Sequence, residues 1–315
     1  MIKDVLSTGL PIAGNWATLL LATNRDGSID YSRLTDEIDV LIAAEPNGIY
    51  SCGTAGEFYS LSETEFDAVS RLLSEKCRKS RIPFQIGVSH TSAQQSLERL
   101  KRTVVLTPLA VQLILPDWFP VTIDEAIDFL QRMADAACGT GLVLYNPPHA
   151  KRRLNPEDWM CLKEKIPQLV GLKVFDNNGD DEWYTRMRTC SEGLSVFIPG
   201  HRMASGILKG AHGAYSNVAC LNPFAAQRWY RQICTDMPAA LELEVRINRL
   251  MDQCISPLIT QYHYPNPACD RFMALVGGWA DVGAFMRWPY RSVPSYWVDD
   301  VRKVVKNIIP EFMNH

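Results

Sequence analysis

No apolar run in the chain reaches the roughly eighteen residues that a membrane span needs. The opening MIKDVLSTGL lacks the apolar core of a signal peptide. Charge is sparse and balanced. The net charge is −3, and the basic residues gather only in short clusters such as Lys151-Arg152-Arg153, so no nucleic-acid partner is indicated. The nine cysteines are scattered, with no C-x-x-C pair, which points away from a disulfide framework and from a zinc knuckle. The histidines form no H-E-x-x-H. A Walker loop, a G-x-G-x-x-G and a G-x-S-x-G are all missing. Metal, nucleotide and serine-nucleophile chemistry therefore lack sequence support. The expectation is a cytoplasmic protein with neither a membrane nor a nucleic acid as partner.

What is present is an ordinary globular composition, 47% hydrophobic and 21% charged, over 315 residues. Short apolar runs recur at 17–22, 48–52, 84–89, 110–115, 141–146, 169–175, 194–198 and 213–218. Amphipathic segments lie between them. SRLTDEIDVLIAAE (32–45) places Leu34, Ile38, Leu41 and Ile42 at helical spacing. SETEFDAVSRLLSEKC (62–77) opens with Ser62 and Glu65, a capping-box pair. Strand alternating with helix implies a parallel sheet with right-handed crossovers. Eight such runs match an α/β fold of the (β/α)8 TIM-barrel kind, with a doubly wound open sheet as the alternative. After residue 221 the runs read as helices. The chain thus divides into a catalytic barrel over 1–234 and a C-terminal helical extension over 235–315.

LVGLKVFDNN (169–178) sets one lysine inside an otherwise apolar strand. Lys173 is either an edge lysine turned to water or an inward-facing amine. Facing inward, it is desolvated, and desolvation favours its neutral form. An ordinary lysine is only about 0.04% neutral at pH 7, and a neutral amine is what attacks a ketone to form a Schiff base. Such chemistry needs a proton carrier. Tyr145, one βα unit earlier in LVLYNPP, is the candidate, with strand-end packing as its plainer reading. Thr54 in the turn CGTAGE (52–57) can relay that proton. The N–H groups of Thr54 and Ala55 suit a carboxylate, although a plain βα turn needs the same glycines.

These segments resemble the dihydrodipicolinate synthase/N-acetylneuraminate lyase family. GIYSCGTAGEFYSLSETEF, LVLYNPP and LVGLKVFD carry the resemblance, with DGSIDYSRL (26–34), GILKGAHGAYSNVACLNP (206–223) and YPNPACDRFMALVG (264–277) in support. It runs from about residue 12 to 310. It implies a TIM barrel, a homotetramer built as a dimer of dimers, and class I aldolase chemistry on 2-oxo acids such as pyruvate. It implies no cofactor beyond a covalent imine on Lys173. Tyr145 would be the general acid/base and Thr54 the hydroxyl relay and carboxylate binder. Tyr215 matches a position whose backbone carbonyl faces the site.

The chain also departs from the family's synthases. Ala55 stands where they have a second threonine, Trp118 where they have a tyrosine donated across a dimer interface, and Ala150 where an arginine binds the aldehyde's carboxylate. Indole cannot shuttle a proton as phenol does. The expectation is therefore a Schiff-base lyase or aldolase acting on pyruvate or a 2-keto-3-deoxy sugar acid. The alternatives are a true 4-hydroxy-tetrahydrodipicolinate synthase, an inactive relative serving as a binding or regulatory protein, and a barrel enzyme using phosphate or metal. Trp118 and His201 are expected to bind substrate, with His149, Asp176, Asn177 and Asn217 near the same wall.

Overall fold

Parallel strands and helices alternate through the computed structural model, which describes residues 12–313. The strands are β1 (Gly14–Thr18), β2 (Gly48–Ser51), β3 (Phe84–Gly87), β4 (Ala110–Leu113), β5 (Gly141–Asn146), β6 (Leu169–Val174), β7 (Ser195–Pro199) and β8 (Gly213–Tyr215). Each pairs in parallel with the next, and β8 pairs with β1, closing an eight-stranded barrel. Between successive strands lie α1 (Tyr31–Ala43), α2 (Glu63–Ser80), α3 (Ala93–Val104), α4 (Ile123–Ala136), α5 (Pro156–Lys165), α6 (Asp181–Cys190) and α7 (Met203–Leu208). After β8 come α8 (Asn217–Leu221), α9 (Pro223–Thr235), α10 (Met237–Leu250), α11 (Ser256–Thr260), α12 (Asn266–Gly277) and α13 (Val298–Ile308). The expected (β/α)8 barrel with a C-terminal helical region is thus what the chain forms. Among the described residues no helix is long and apolar enough to cross a membrane.

The helices start where the sequence supplies caps. The Ser62 hydroxyl accepts from the Glu65 N–H, and the Glu65 carboxylate accepts from the Ser62 N–H at 2.9 Å. Thr122 with Glu125 and Asn155 with Asp158 repeat the device on α4 and α5. Each closes two amide donors that a helix start leaves open. The apolar faces that follow, such as Leu34, Ile38 and Leu41 on α1, pack against the outside of the barrel. A second, smaller core of Ile12, Trp16, Tyr50, Ala110, Val143, Phe197 and Tyr215 gathers apart from it, and most of its members lie on the barrel strands. Gly48 is forced by that packing, because a Cβ there would stand 2.4 Å from the Trp16 ring.

Two expectations about elements shift. The first strand covers 14–18 rather than 17–22. The run Leu19–Ala22 is buried, but after Leu19 bonds to the Tyr50 carbonyl it leaves the ladder, and the Leu20 N–H goes to the Glu37 carboxylate instead. Its apolarity reports burial, not pairing. The helical pattern after residue 221 is also less regular than expected, because a π-helical turn at Met251–Ile255 interrupts it between α10 and α11. Pro257 has no N–H to return to the preceding turn, and the ladder is rephased just before it.

The C-terminal helices also position the barrel's mouth. α9 packs on β1, and α12 lies against α8, the helix that follows β8. α12 is fastened to the turn after β2 by a fully buried ion pair, with Arg271 Nη2 2.6 Å from Glu57 Oε1. The other Glu57 oxygen accepts the Arg287 N–H at 3.0 Å.

Candidate active site

β5 and β6 are both apolar strands, yet each has one partly exposed residue toward its C-terminal end. These are Tyr145 and Lys173. They are direct partners across the parallel ladder. Both sit at the end of the barrel where the βα loops converge, the face that carries chemistry in this architecture. Lys173 faces inward. Its ammonium lies 4.2 Å from the centre of the Tyr145 ring and 5.2 Å from that of Tyr215, and it donates to the Tyr50 hydroxyl at 3.1 Å. Burial among these rings pushes the Lys173 pKa down, opposed by the charges of Tyr145 and Asp270. The Tyr145 phenol is pushed up by burial, while Lys173 and a hydrogen bond from Thr54 pull it back. The edge-lysine reading therefore does not describe this residue.

Thr54 is brought beside Tyr145 by the tight turn after β2. Gly53 makes the turn possible, since a Cβ on it would stand 2.2 Å from the Tyr50 ring. Glu57 holds the far end of the turn in the left-handed region, at φ 51°, where Arg271 clamps it. Among the described residues the N–H groups of Thr54 and Ala55 have no acceptor in the protein. Two unpaired amides in the turn that carries Thr54 to Tyr145 suit a small carboxylate. Thr54 and Tyr145 share a cavity of about 50 Å³ with His149, Ala150 and Arg152. Arg152 bonds to Asp158 at 3.3 Å through one Nη and leaves its buried Nε without a partner.

The other sequence candidates fall elsewhere on the same face. Tyr215 lies beneath the lysine, its phenol donating to Gln85 Oε1 at 2.6 Å inside the barrel. Trp118 is 74% exposed on the rim, where its carbonyl accepts from Lys151 Nζ at 2.6 Å. Lys151 is thus turned outward, away from the place of the missing arginine. His201, just after β7, lines a polar cavity of about 520 Å³ with Asn217, Arg202, Ser205 and Asn248. Burial holds its pKa near 4, so the ring is neutral at pH 7, and its Nδ1 lies 3.1 Å from the Asn217 side-chain nitrogen. Asp176 is turned inward to the Tyr184 hydroxyl at 3.2 Å, and Asn177 is exposed.

Tyr50, whose hydroxyl accepts from Lys173, is a residue that sequence reading missed. Tyr50 had a signal in strand parity, because it shares a face with Gly48 in β2.

A closed barrel with an inward lysine beside a strand-end tyrosine and a glycine-bounded threonine turn defines a lyase site of the Schiff-base aldolase class. The Dihydrodipicolinate synthetase family profile matches residues 12–307, and the chain belongs to that family. A 4-hydroxy-tetrahydrodipicolinate synthase of Neisseria meningitidis serogroup C is 25% identical over 266 residues, 83% of this chain and 87% of the relative. The trans-O-hydroxybenzylidenepyruvate hydratase-aldolase of Pseudomonas putida is 25% identical over 183 residues, 56% of this chain and 55% of its own. Among solved structures, the E. coli K12 prophage protein YagE, in complex with pyruvate, superposes with TM-score 0.81 at 18% identity, over 94% of this chain and 98% of that one. The N-acetylneuraminate lyase of Fusobacterium nucleatum gives 0.80 at 17% identity, over 95% and 99%. These two structures share the fold.

Proposed function

We propose that Lys173 forms an imine with pyruvate or another 2-oxo acid, and that the protein makes or breaks a bond at the adjacent carbon. The observation that carries this reading is the Lys173 amine enclosed by Tyr145, Tyr50 and Tyr215, with its pKa lowered by burial. Tyr145 moves protons to and from the carbinolamine oxygen, and Thr54 hands them on. The Thr54 and Ala55 amides receive the 2-oxo acid's carboxylate. The iminium then draws electrons from the neighbouring carbon. The pyruvate complex of the E. coli relative is in keeping with this choice of acid.

For the remainder of the substrate, the polar cavity beside β7 and β8 favours a hydroxylated chain. His201, Asn217, Ser205 and Asn248 offer donors and acceptors, and Arg202 and Lys209 offer positive charge. A 2-keto-3-deoxy sugar acid fits that lining better than a short semialdehyde does. Ala150 supplies no carboxylate-binding group, whereas Arg152 lies in the cavity with Thr54 and Tyr145. The protein acts in the cytoplasm as a dimer of dimers. The apolar rim of Trp118 and Phe119, each 74% exposed, supports such an assembly.

The test is borohydride reduction in the presence of pyruvate, followed by peptide mapping. The expected adduct is on Lys173 and is absent from Lys173→Ala. An adduct on another lysine, or none with any 2-oxo acid, overturns the reading.

A further inference from the structure

Tyr50 meets Lys173 from the far side of the barrel. β2 and β6 lie opposite one another in the closed ring of strands. Lys173 Nζ donates to the Tyr50 hydroxyl at 3.1 Å, and among the described residues this is the one hydrogen bond of the amine. The other two rings beside the nitrogen turn their oxygens elsewhere. The Tyr215 phenol donates to Gln85 at 2.6 Å, and the Tyr145 phenol is hydrogen-bonded to Thr54. Among the described residues no carboxylate forms an ion pair with Lys173.

The fold fixes this phenol closely. Tyr50 is 1% exposed, and its ring meets that of Tyr215 edge-on with centroids 4.7 Å apart. A Cβ on Gly53 would stand 2.9 Å from the Tyr50 hydroxyl oxygen, so the turn that carries Thr54 is laid directly on it. Thr18, the ladder partner of Tyr50 on β1, shares a hydrogen bond with the same hydroxyl. A phenol has one proton and two lone pairs, so the bond with Thr18 leaves a lone pair for the lysine. Burial pushes the phenol's pKa up, which keeps it protonated near neutrality and unsuited to act as a base.

A neutral oxygen at this place has a chemical use. A carboxylate there would hold the nitrogen as an ammonium, which has no lone pair to give to a ketone. A phenol oxygen accepts an N–H from an amine, an ammonium or an iminium and adds no charge of its own. The rings of Tyr145, Tyr50 and Tyr215, with centres 4.2, 5.1 and 5.2 Å from the nitrogen, favour the cationic forms in the same way.

We propose that Tyr50 is a positioning residue for the Schiff-base nitrogen, its phenol oxygen accepting an N–H of the Lys173 amine before reaction and the N–H of the iminium after it. This rests on the Schiff-base reading and adds a residue to it. The neutral amine forms the C–N bond with its lone pair, and the carbonyl π pair moves to oxygen. That oxygen leaves as water with one proton from the nitrogen and one supplied through Tyr145, while the nitrogen lone pair closes the C=N bond. One N–H remains on the iminium, and Tyr50 holds it. Tyr50 itself neither gains nor loses a proton.

The experiment compares Tyr50→Phe, and Tyr50→Phe combined with Thr18→Val, with wild type in the 315-residue chain. Phe keeps the ring against Tyr215 and Gly53, and the double variant removes both partners of the Tyr50–Thr18 bond, a change close to neutral for folding. The rate of pyruvate trapping on Lys173 by cyanoborohydride, which reduces the iminium, is followed between about pH 5 and 10 beside the thermal midpoint. Losing the oxygen makes both cations easier to deprotonate. The acid limb, set by the free amine, and the alkaline limb, set by the iminium, should therefore both move toward acid by about one to two pH units. At the alkaline limb the variants trap more slowly by about 10-fold or more, and at the acid limb they trap faster than wild type. Tyr145, Asp270 and Cys220, the other titratable groups whose charges reach the nitrogen, are the same in all three proteins. Limbs that stay at their wild-type positions overturn the proposal, and with a lowered midpoint they assign Tyr50 to packing. No adduct in the wild type overturns the Schiff-base reading, and the role of Tyr50 with it.

Discussion

Tyr145 and Lys173 are ladder partners on adjacent strands, and the lysine's ammonium stands 4.2 Å from the centre of the tyrosine's ring. Neither depends on a mobile loop for its position. Removing only the phenol oxygen in Tyr145→Phe keeps the ring beside the ammonium and deletes the proton carrier. Turnover should fall by about 100- to 10,000-fold, the range for a positioned acid or base. Thermal stability should change little. Steady-state kinetics beside a melting curve separate the cases: a destabilised protein with intact turnover would make Tyr145 a packing residue.

The turn that holds Thr54 depends on a contact far away in sequence. Arg271 Nη2 and Glu57 Oε1 are 2.6 Å apart, with side chains 2% and 0% exposed. Arg271→Met leaves Glu57 as an unpaired buried charge, and such breaks cost about 3–5 kcal/mol. Adding Glu57→Gln should recover a large part of that loss. Urea unfolding of the two single variants and the double variant measures it. If Arg271→Met unfolds like the wild type, the clamp is not what holds the turn.

The barrel was legible because its signals are local. Eight apolar runs separated by capped amphipathic segments leave few other architectures. Lys173 was legible for a related reason, since a lone charge in an apolar strand is conspicuous. Leu19–Ala22 misled because apolarity marks burial, and this run is buried outside the ladder. The Glu57–Arg271 clamp joins segments more than 200 residues apart, and nothing in either segment alone names the other. Tyr50 was visible only through strand parity, which becomes useful once the strand's bounds are known.

Stability should also respond to acid through the histidines. His212 accepts the Val196 N–H on its Nδ1 at 3.0 Å, and burial holds its pKa near 4. The unfolded residue titrates near 6.5. Between those values the unfolded chain binds the proton more readily, so this stabilisation is lost as pH falls from about 6.5 toward 4. The slope is at most about 1.4 kcal/mol per pH unit for one group. His201, also near 4, adds in the same direction. Glu37, raised to about 8, and Asp270, raised to about 7, act oppositely, since their neutral forms favour the folded state at low pH. The informative comparison is therefore His212→Asn, whose side-chain oxygen can replace Nδ1. It should flatten the acid slope of the urea midpoint between pH 6.5 and 4 relative to wild type, and an unchanged slope would show that His212 titrates normally in the fold.

Substrate choice turns on one displaced cation. The family's synthases hold the aldehyde's carboxylate with an arginine at the place of Ala150, and here the guanidinium in the cavity with Thr54 and Tyr145 is that of Arg152. Its Nε is buried and unpaired, so it can donate to a substrate hydroxyl without first breaking the Asp158 contact. Trp118 lies outward on the rim and offers no phenol to a proton chain. Catalytic efficiency for pyruvate plus aspartate semialdehyde should therefore fall below that for a 2-keto-3-deoxy sugar acid, whose hydroxyls match the polar lining around His201 and Asn217. Arg152→Leu should lower efficiency on the sugar acid by about 10- to 150-fold, as expected when a charged group loses a hydrogen-bonded partner worth about 1.5–3 kcal/mol. Pyruvate trapping on Lys173 should persist in that variant, because the Thr54 and Ala55 amides hold pyruvate's own carboxylate. A kcat/KM series over the semialdehyde and a panel of sugar acids decides the matter. An efficiency on the semialdehyde of about 10⁴ M⁻¹s⁻¹ or more, above every sugar acid, would place substrate selection outside these residues and return the protein to the biosynthetic synthases.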